Sequence, residues 1–236
     1  MANSIPRQYD IISISNPKSA VAESYRTLRT NLGFASLDKP CRSIVITSAG
    51  PGDGKSTTAS NLAVVLAQAG NSVMLVDCDL RKPIQHKIFG VENQRGLANC
   101  LLQNLAPEEV AHHRIIDNLN LLTSGPIPPN PAEILSSEKV RRLWDTLLER
   151  YDYLLIDSPP VLAVTDTLLL AGQVHGVLLV IESAVTRTDI AREAKEQLVR
   201  ANARILGVVL NKVKMQSQDY HYYYYYHREP STPVKL

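Results

Sequence analysis

The stretch from Arg42 to Gly70 constrains this chain more than any other part of it. It reads RSIVITS, then AGPGDGKST, then a helical run from Lys55 to Ala69 that Gly70 closes. The first part is a short β-branched run, the pattern of a buried strand. Ala49 to Thr57 matches the phosphate-binding P-loop, with Ala49 where the first glycine usually stands and Lys55 and Ser56 at the Lys-[Ser/Thr] positions. Gly52 and Gly54 let backbone N–H groups turn inward around phosphate oxygens. The helix that starts at Lys55 aims the positive end of its dipole at the same anion. Lys55 is placed to reach the β- and γ-phosphates, and Ser56 to offer a hydroxyl to Mg²⁺. Gly50, Asp53 and Thr57 complete the loop expected around the nucleotide. The bland alternative is a chance glycine-rich turn; a strand before and a helix after favour nucleotide binding.

The rest of the chain continues the alternation. A helix is expected over 18–37, with Ala22, Tyr25, Leu28, Leu32 and Ala35 three or four apart. Further strands are expected at Ser72–Val76, Leu119–Leu122, Tyr153–Ile156, Gly176–Ile181 and Ile205–Asn211. Helices are expected at 96–103, 107–113, Ser137–Arg150, Asp166–Ala171 and Asp189–Asn202, with a stiff proline-rich loop at 126–131. Residues 1–16 show no strong periodicity. Continuously apolar strands alternating with helices are the pattern of an α/β protein, a mostly parallel central sheet with helices on both faces. The P-loop makes it a P-loop NTPase in which residues 1–214 form the domain and 215–236 a flexible tail.

Charge narrows the partners. Lys+Arg 25 against Asp+Glu 23 gives +2, and Lys212, Lys214, Arg228 and Lys235 against Asp219 and Glu229 supply all of it. A neutral body lacks the electrostatic footprint of a nucleic-acid binder, so no nucleic acid is expected. Cys41, Cys78 and Cys100 are odd in number and scattered, which suits a reducing cytoplasm. Ser56 to Val76 is uncharged over 21 residues, the length of a membrane span, but Ser, Thr, Asn, Gln and Gly break it repeatedly. It reads as a buried helix, a turn and a strand. No signal peptide is read at MANSIPRQYD, so membrane association is expected only through a partner.

Three acids stand where a parallel sheet presents its ligands, just past strand ends. Asp77 and Asp79 follow SVMLV, and Asp157 follows YLLI. Mg²⁺ takes oxygen ligands and keeps several waters, so one or two carboxylates near the phosphate loop serve MgATP chemistry. Two acids one residue apart exceed that need, so one of them is a candidate general base. The bland reading makes Asp77 or Asp79 a helix cap or an Arg81 partner. Spacing does not divide the roles.

These elements together resemble the bacterial tyrosine kinases, or BY-kinases, that regulate capsule and exopolysaccharide synthesis. Ala49–Ser56 is similar to the family's Walker A, VMLVDCDLRKP (Val73–Pro83) to its Walker A′ and LLIDSPP (Leu154–Pro160) to its Walker B. GPIPPNPAEILSS (Gly125–Ser137) resembles another family segment. The resemblance implies ATP-dependent phosphorylation of protein tyrosine, with Lys55 on the phosphates, Ser56, Asp79 and Asp157 around Mg²⁺, and Asp77 as proton acceptor. Glu23, Arg26 and Arg29, which spacing alone reads as an exposed ion-pair ladder, would lie at the subunit interface of a ring-shaped homo-oligomer. Tyr220 and Tyr222, Tyr223, Tyr224, Tyr225 and Tyr226 would be the autophosphorylation cluster, used in trans; the bland reading is a sticky end or a base-stacking platform. Asn211, after the last strand, is a candidate adenine contact, or simply a strand-end polar residue. The family also implies a transmembrane activator or adaptor that recruits a cytoplasmic kinase to the inner face of the membrane, with a tyrosine phosphatase and other protein substrates as further partners. MinD/ParA-type ATPases share the fold but carry an additional lysine where this chain has Gly50. Neither H-R-D-x-x-x-x-N nor D-F-G is present. An ATPase switch and a nucleotide-gated scaffold are the competing classes.

Overall fold

The computed structural model describes residues 9–35 and 39–214. In chain order the elements are α1 (Ile12–Ser15), α2 (Ala20–Ala35), β1 (Ser43–Ser48), α3 (Lys55–Gln68), β2 (Val73–Asp77), α4 (Gln85–Phe89), α5 (Leu97–Gln103), α6 (Pro107–Val110), β3 (His112–Ile116), β4 (Leu119–Leu122), α7 (Pro131–Leu135), α8 (Glu138–Leu148), β5 (Tyr153–Asp157), α9 (Asp166–Ala171), β6 (Gly176–Glu182), α10 (Thr188–Arg200) and β7 (Ile205–Asn211). The strands form one seven-stranded sheet in the order β3-β4-β2-β5-β1-β6-β7. Every pairing is parallel except β3 with β4. This is a P-loop NTPase α/β fold.

The central strands are apolar throughout because both faces are covered. All six residues of β1 are buried. Their side chains alternate between two cores, as a period of two requires. Val45 joins Met74, Val76, Leu154 and Ile156 under α8, α9 and α10, where Trp144 and Leu198 pack. Ile44 and Ile46 join Leu75 and Leu155 under α2 and α3, where Tyr25, Leu62 and Val65 pack. α3 is buried along most of its length, which explains its lack of charge after Lys55. Among the described residues no helix is long and apolar enough to cross a membrane.

Several boundaries differ from the sequence reading, each for a physical reason. The helix expected over 107–113 ends at Val110, and His112–Ile116 is an edge strand. HHRII has no strand alternation of its own; it is extended because β4 pairs with it, the chain reversing at Asn118 with φ +64°. α7 starts at Pro131, at the end of the proline-rich stretch, where proline suits the first helical position. Ile12–Ser15 forms a short helix in the segment without periodicity, and Ser13 N–H donates to Asn61 of α3 at 3.0 Å. The first long helix, expected over 18–37, is described from Ala20 to Ala35. The segment 215–236, with all six clustered tyrosines, lies outside the described residues.

Trp144 is 1 % exposed, yet its indole Nε1 has no hydrogen-bond partner among the described residues. Its contribution is therefore volume rather than polarity. Trp144→Ala should cost about 3–5 kcal/mol of unfolding free energy. Trp144→Phe should cost much less, because it also removes an unsatisfied donor. Urea unfolding followed by circular dichroism checks this, and equal losses in the two variants would contradict it.

Candidate active site

Parallel pairing sets the site. β2 and β5 are neighbours with Asp77 level with Asp157, and β5 pairs with β1 so that Asp157 is level with Ile46. The C-terminal ends of these three strands converge, and the P-loop follows β1.

The loop is braced from inside. Gly52 and Gly54 have φ of +90° and +96°, the left-handed region open to glycine. Asp53, 6 % exposed, accepts from Gly50 N–H at 2.9 Å and from the Thr186 hydroxyl at 3.0 Å. Its carbonyl accepts from the Asn211 side-chain amide at 2.8 Å. A Cβ on Gly54 would fall 2.0 Å from that amide nitrogen. Asn211 thus clasps the end of β7 onto the loop, and Asp53 holds the loop's shape. Thr57 is exposed, and its carbonyl accepts from Asn61 Nδ2 at 2.9 Å.

Lys55 points into the acids. Its Nζ lies 3.0 Å from Asp79 Oδ2, 3.4 Å from Asp157 Oδ1 and 3.1 Å from Ser56 Oγ. Burial alone would lower the Lys55 pKa, but the charges of Asp157 and Asp79 outweigh it and the pKa is raised. The ammonium therefore stands as a cation among the three oxygen groups that the sequence offers to a metal. Among the described residues no set of three or more His, Cys, Asp or Glu could hold a metal alone. Two carboxylates and a hydroxyl instead suit a hard cation that takes its remaining ligands from phosphate and water.

Asp77 is fully enclosed. Its Oδ2 accepts from the N–H groups of Ile84 and Gln85, both at 2.9 Å, and its Oδ1 from Asp79 N–H at 3.2 Å. Burial first, and the Asp157 charge second, push its pKa up to about 8, against the opposing Gln85 N–H, Lys55 charge and Ile84 N–H. Asp79 Oδ1 accepts from Lys82 N–H at 2.9 Å. Arg81 pairs with neither acid: its guanidinium makes a fork to the buried Asp166 of α9, at 2.9 Å on each oxygen.

Gln85 is a residue that sequence reasoning passed over. It is fully buried and links the three segments. Its Nε2 donates to Asp157 Oδ2 at 2.8 Å and to the Ser56 carbonyl at 3.1 Å, and its Oε1 accepts from Ser60 at 2.7 Å. A lone glutamine two residues after Pro83 carries no signal of this. Thr186 and Asp166 are also partners visible only in three dimensions.

Away from the loop, Arg26 pairs with Glu23 at 2.7 Å, and Arg29 donates to the Val65 carbonyl of α3 at 2.9 Å. Tyr220 and Tyr222 to Tyr226 lie outside the described residues.

Comparison with known proteins shows the family and the fold. The ParA family, described as NUBPL iron-transfer P-loop NTPase, matches residues 40–231. The chain is 46% identical over 208 residues to tyrosine-protein kinase YwqD of Bacillus subtilis, covering 88% of each. It is 38% identical over 197 residues to the putative tyrosine-protein kinase CapB of Staphylococcus aureus, covering 84% of this chain and 86% of that one. The crystal structure of the chimerical protein CapA2B2 superposes with a TM-score of 0.83 at 43% identity, over 87% of this chain and 90% of that one.

The Asp77 environment predicts a pH dependence. A carboxyl whose folded pKa is raised binds its proton more tightly in the native state, so its contribution to stability falls as pH rises from its unfolded pKa of about 4 through about 8. Asp77→Asn removes that penalty. The thermal midpoint of the variant relative to the parent should therefore be higher at pH 8 than at pH 5, without nucleotide. A pH-independent difference would contradict it.

Proposed function

Since the chain belongs to the bacterial tyrosine kinase family, we propose that it phosphorylates the tyrosine cluster of its own 215–236 segment in trans between copies. It is a tyrosine-protein kinase with a P-loop nucleotide site. The observation that carries the mechanism is the Lys55 ammonium held between Ser56, Asp79 and Asp157. On this reading Lys55 and the backbone N–H groups of Gly52, Asp53 and Gly54 bind the phosphates of ATP, with Gly50 shaping the loop through its bond to Asp53 and Thr57 beside them. Ser56, Asp79 and Asp157 then hold Mg²⁺, the carboxylates mainly through waters. When bound, Mg²⁺ neutralises charge on the phosphoryl oxygens. Gln85 fixes one oxygen of Asp157 and leaves the other for the cation side.

A phenol with a pKa of about 10 is a poor nucleophile at neutral pH without a base. Asp77 is our candidate, because burial and Asp157 raise its proton affinity. Its three backbone N–H partners favour a second reading, in which Asp77 braces the loop to α4. Asn211 acts in this scheme by shaping the P-loop from β7, besides any contact with adenine.

The wider role follows the relatives. The CapA2B2 chimera pairs a CapA with a CapB in its name, which supports a CapA-like transmembrane adaptor as activator. We place the kinase in the cytoplasm, recruited to the inner face of the membrane by that adaptor, in the control of capsular or extracellular polysaccharide synthesis. A tyrosine phosphatase and other protein substrates complete the partners. Glu23, Arg26 and Arg29 lie on α2 where a ring of copies would meet. Each phosphotyrosine adds roughly −1.5 to −2 charge, and repulsion among several would open that ring.

The test incubates the full chain with MgATP, with and without an adaptor peptide, and maps phosphate on residues 215–236 by mass spectrometry. Phosphate should accumulate on the tyrosines and fall by about a thousandfold in Lys55→Met, whose fold stays intact. Phosphate release with an unmodified segment would instead make the chain an ATPase switch. Asp77→Asn should lose transfer while keeping MgATP affinity if Asp77 is the base; loss of affinity as well would support the brace. Sedimentation should show a large assembly before phosphorylation and smaller species after it, and identical profiles would refute ring opening.

A further inference from the structure

The loop after β2 faces two ways. Its amides hold the acids: Lys82 N–H donates to Asp79 and Ile84 N–H to Asp77, each at 2.9 Å. Its side chains, with those of α4, line a groove of about 570 Å³ closed on the other side by Gly125–Ile127. Arg81, Lys82, His86, Lys87 and Asn93 line it, and no carboxylate does. Arg81 is already engaged by Asp166. Lys82 and Lys87 are exposed and pair with no carboxylate among the described residues. The opposite wall is built rather than loose: Asn93 Oδ1 accepts from Gly125 N–H at 2.9 Å, and Asn93 Nδ2 donates to the Gly125 carbonyl at 3.1 Å. Ile127 beyond it is 62% exposed. Two unpaired ammonium groups beside an apolar lip suit an aryl phosphate, a dianion carried on a ring.

The chain holds such a group once its own product forms. Residues 215–236 carry the tyrosine cluster together with Asp219, Arg228, Glu229 and Lys235, so the segment is neutral before modification. A phosphate on one tyrosine turns it anionic and gives the groove something to hold. The described chain leads into this segment from β7, whose Asn211 sits on the P-loop. In extended chain, tyrosines two to four residues apart are roughly 7–13 Å apart. The groove and the acids share this loop, since Lys82 lines the groove while its N–H donates to Asp79, so the arrangement has one tyrosine anchored at the groove and another presented to the acids.

The geometry points to a phosphotyrosine-retaining subsite: the groove of Lys82 and Lys87 binds a phosphotyrosine of the 215–236 segment of a neighbouring copy while a further tyrosine is phosphorylated. This rests on the proposed transfer to that cluster. It makes the first phosphorylation the slow, weakly held one and the later ones successive on a retained segment.

The test titrates two peptides of residues 217–229, one unmodified and one phosphorylated at Tyr224, against the full chain with MgADP filling the P-loop. The phosphopeptide should bind roughly ten- to a hundredfold more tightly, an advantage eroded by salt. Lys82→Ala/Lys87→Ala, two exposed substitutions, should bring the peptides to parity. Equal binding by the parent chain, or a preference that survives in the double variant, would overturn the subsite. A parallel incubation with MgATP separates the failures. Tyrosine phosphorylation of 215–236 without a phosphopeptide preference removes only the subsite, whereas no phosphorylation there removes the transfer reading and the subsite with it.

Discussion

The register of β2 against β5 governs the site. Parallel pairing sets Asp77 level with Asp157, and the turn after β2 adds Asp79, so three acids crowd one end of the sheet. Asp77 and Asp157 are wholly buried and Asp79 is 4% exposed. Charges so enclosed persist only when paired or neutralised. One lysine answers two of them, and backbone N–H groups answer Asp77. The remaining imbalance leaves this end of the sheet negative, an environment suited to a further cation beside a nucleotide.

The surrounding polar contacts make this cluster one unit. Gln85 touches Asp157 and Ser56 with its side chain and Asp77 with its backbone. Arg81 ties the loop after β2 to α9, the helix that follows β5. Thr186 and Asn211 hold Asp53 from the loop after β6 and the end of β7. Rigid placement of this kind is what phosphoryl transfer asks of a protein, since positioning and electrostatics supply most of the catalysis.

Much of this was legible in the sequence. β1, β2, β5 and β6 are readable because parallel strands covered on both faces must be apolar, and β7 reads the same way from its apolar run although it is an edge strand with Val208 and Leu210 exposed. The P-loop is readable because glycine, lacking a Cβ, is the residue that readily takes its positive φ angles at positions 52 and 54, and strand-end acids because of where they fall in a βα alternation. β3 was not readable: His112–Ile116 takes its form from pairing with β4, a tertiary effect that local composition does not carry. Nor was Gln85, an isolated residue type without spacing. The bland alternative that pairs Arg81 with Asp77 or Asp79 fails because its partner, Asp166, is distant in sequence and carries only a helix-start signal.

The Lys55 ammonium occupies the ground between the carboxylates, so it acts as an exchangeable counter-ion. A divalent ion arriving alone must evict a positive charge that has nowhere better to go. A nucleotide arriving alone must draw Lys55 off two acids and leave them uncompensated. Were the two to arrive together, each would remove the other's obstacle: phosphate would receive the Lys55 ammonium, and the metal would be held in its place by Asp79 and Asp157. The site would thereby act as a coincidence detector, with a favourable, negative coupling free energy between nucleotide and metal that is reciprocal by linkage.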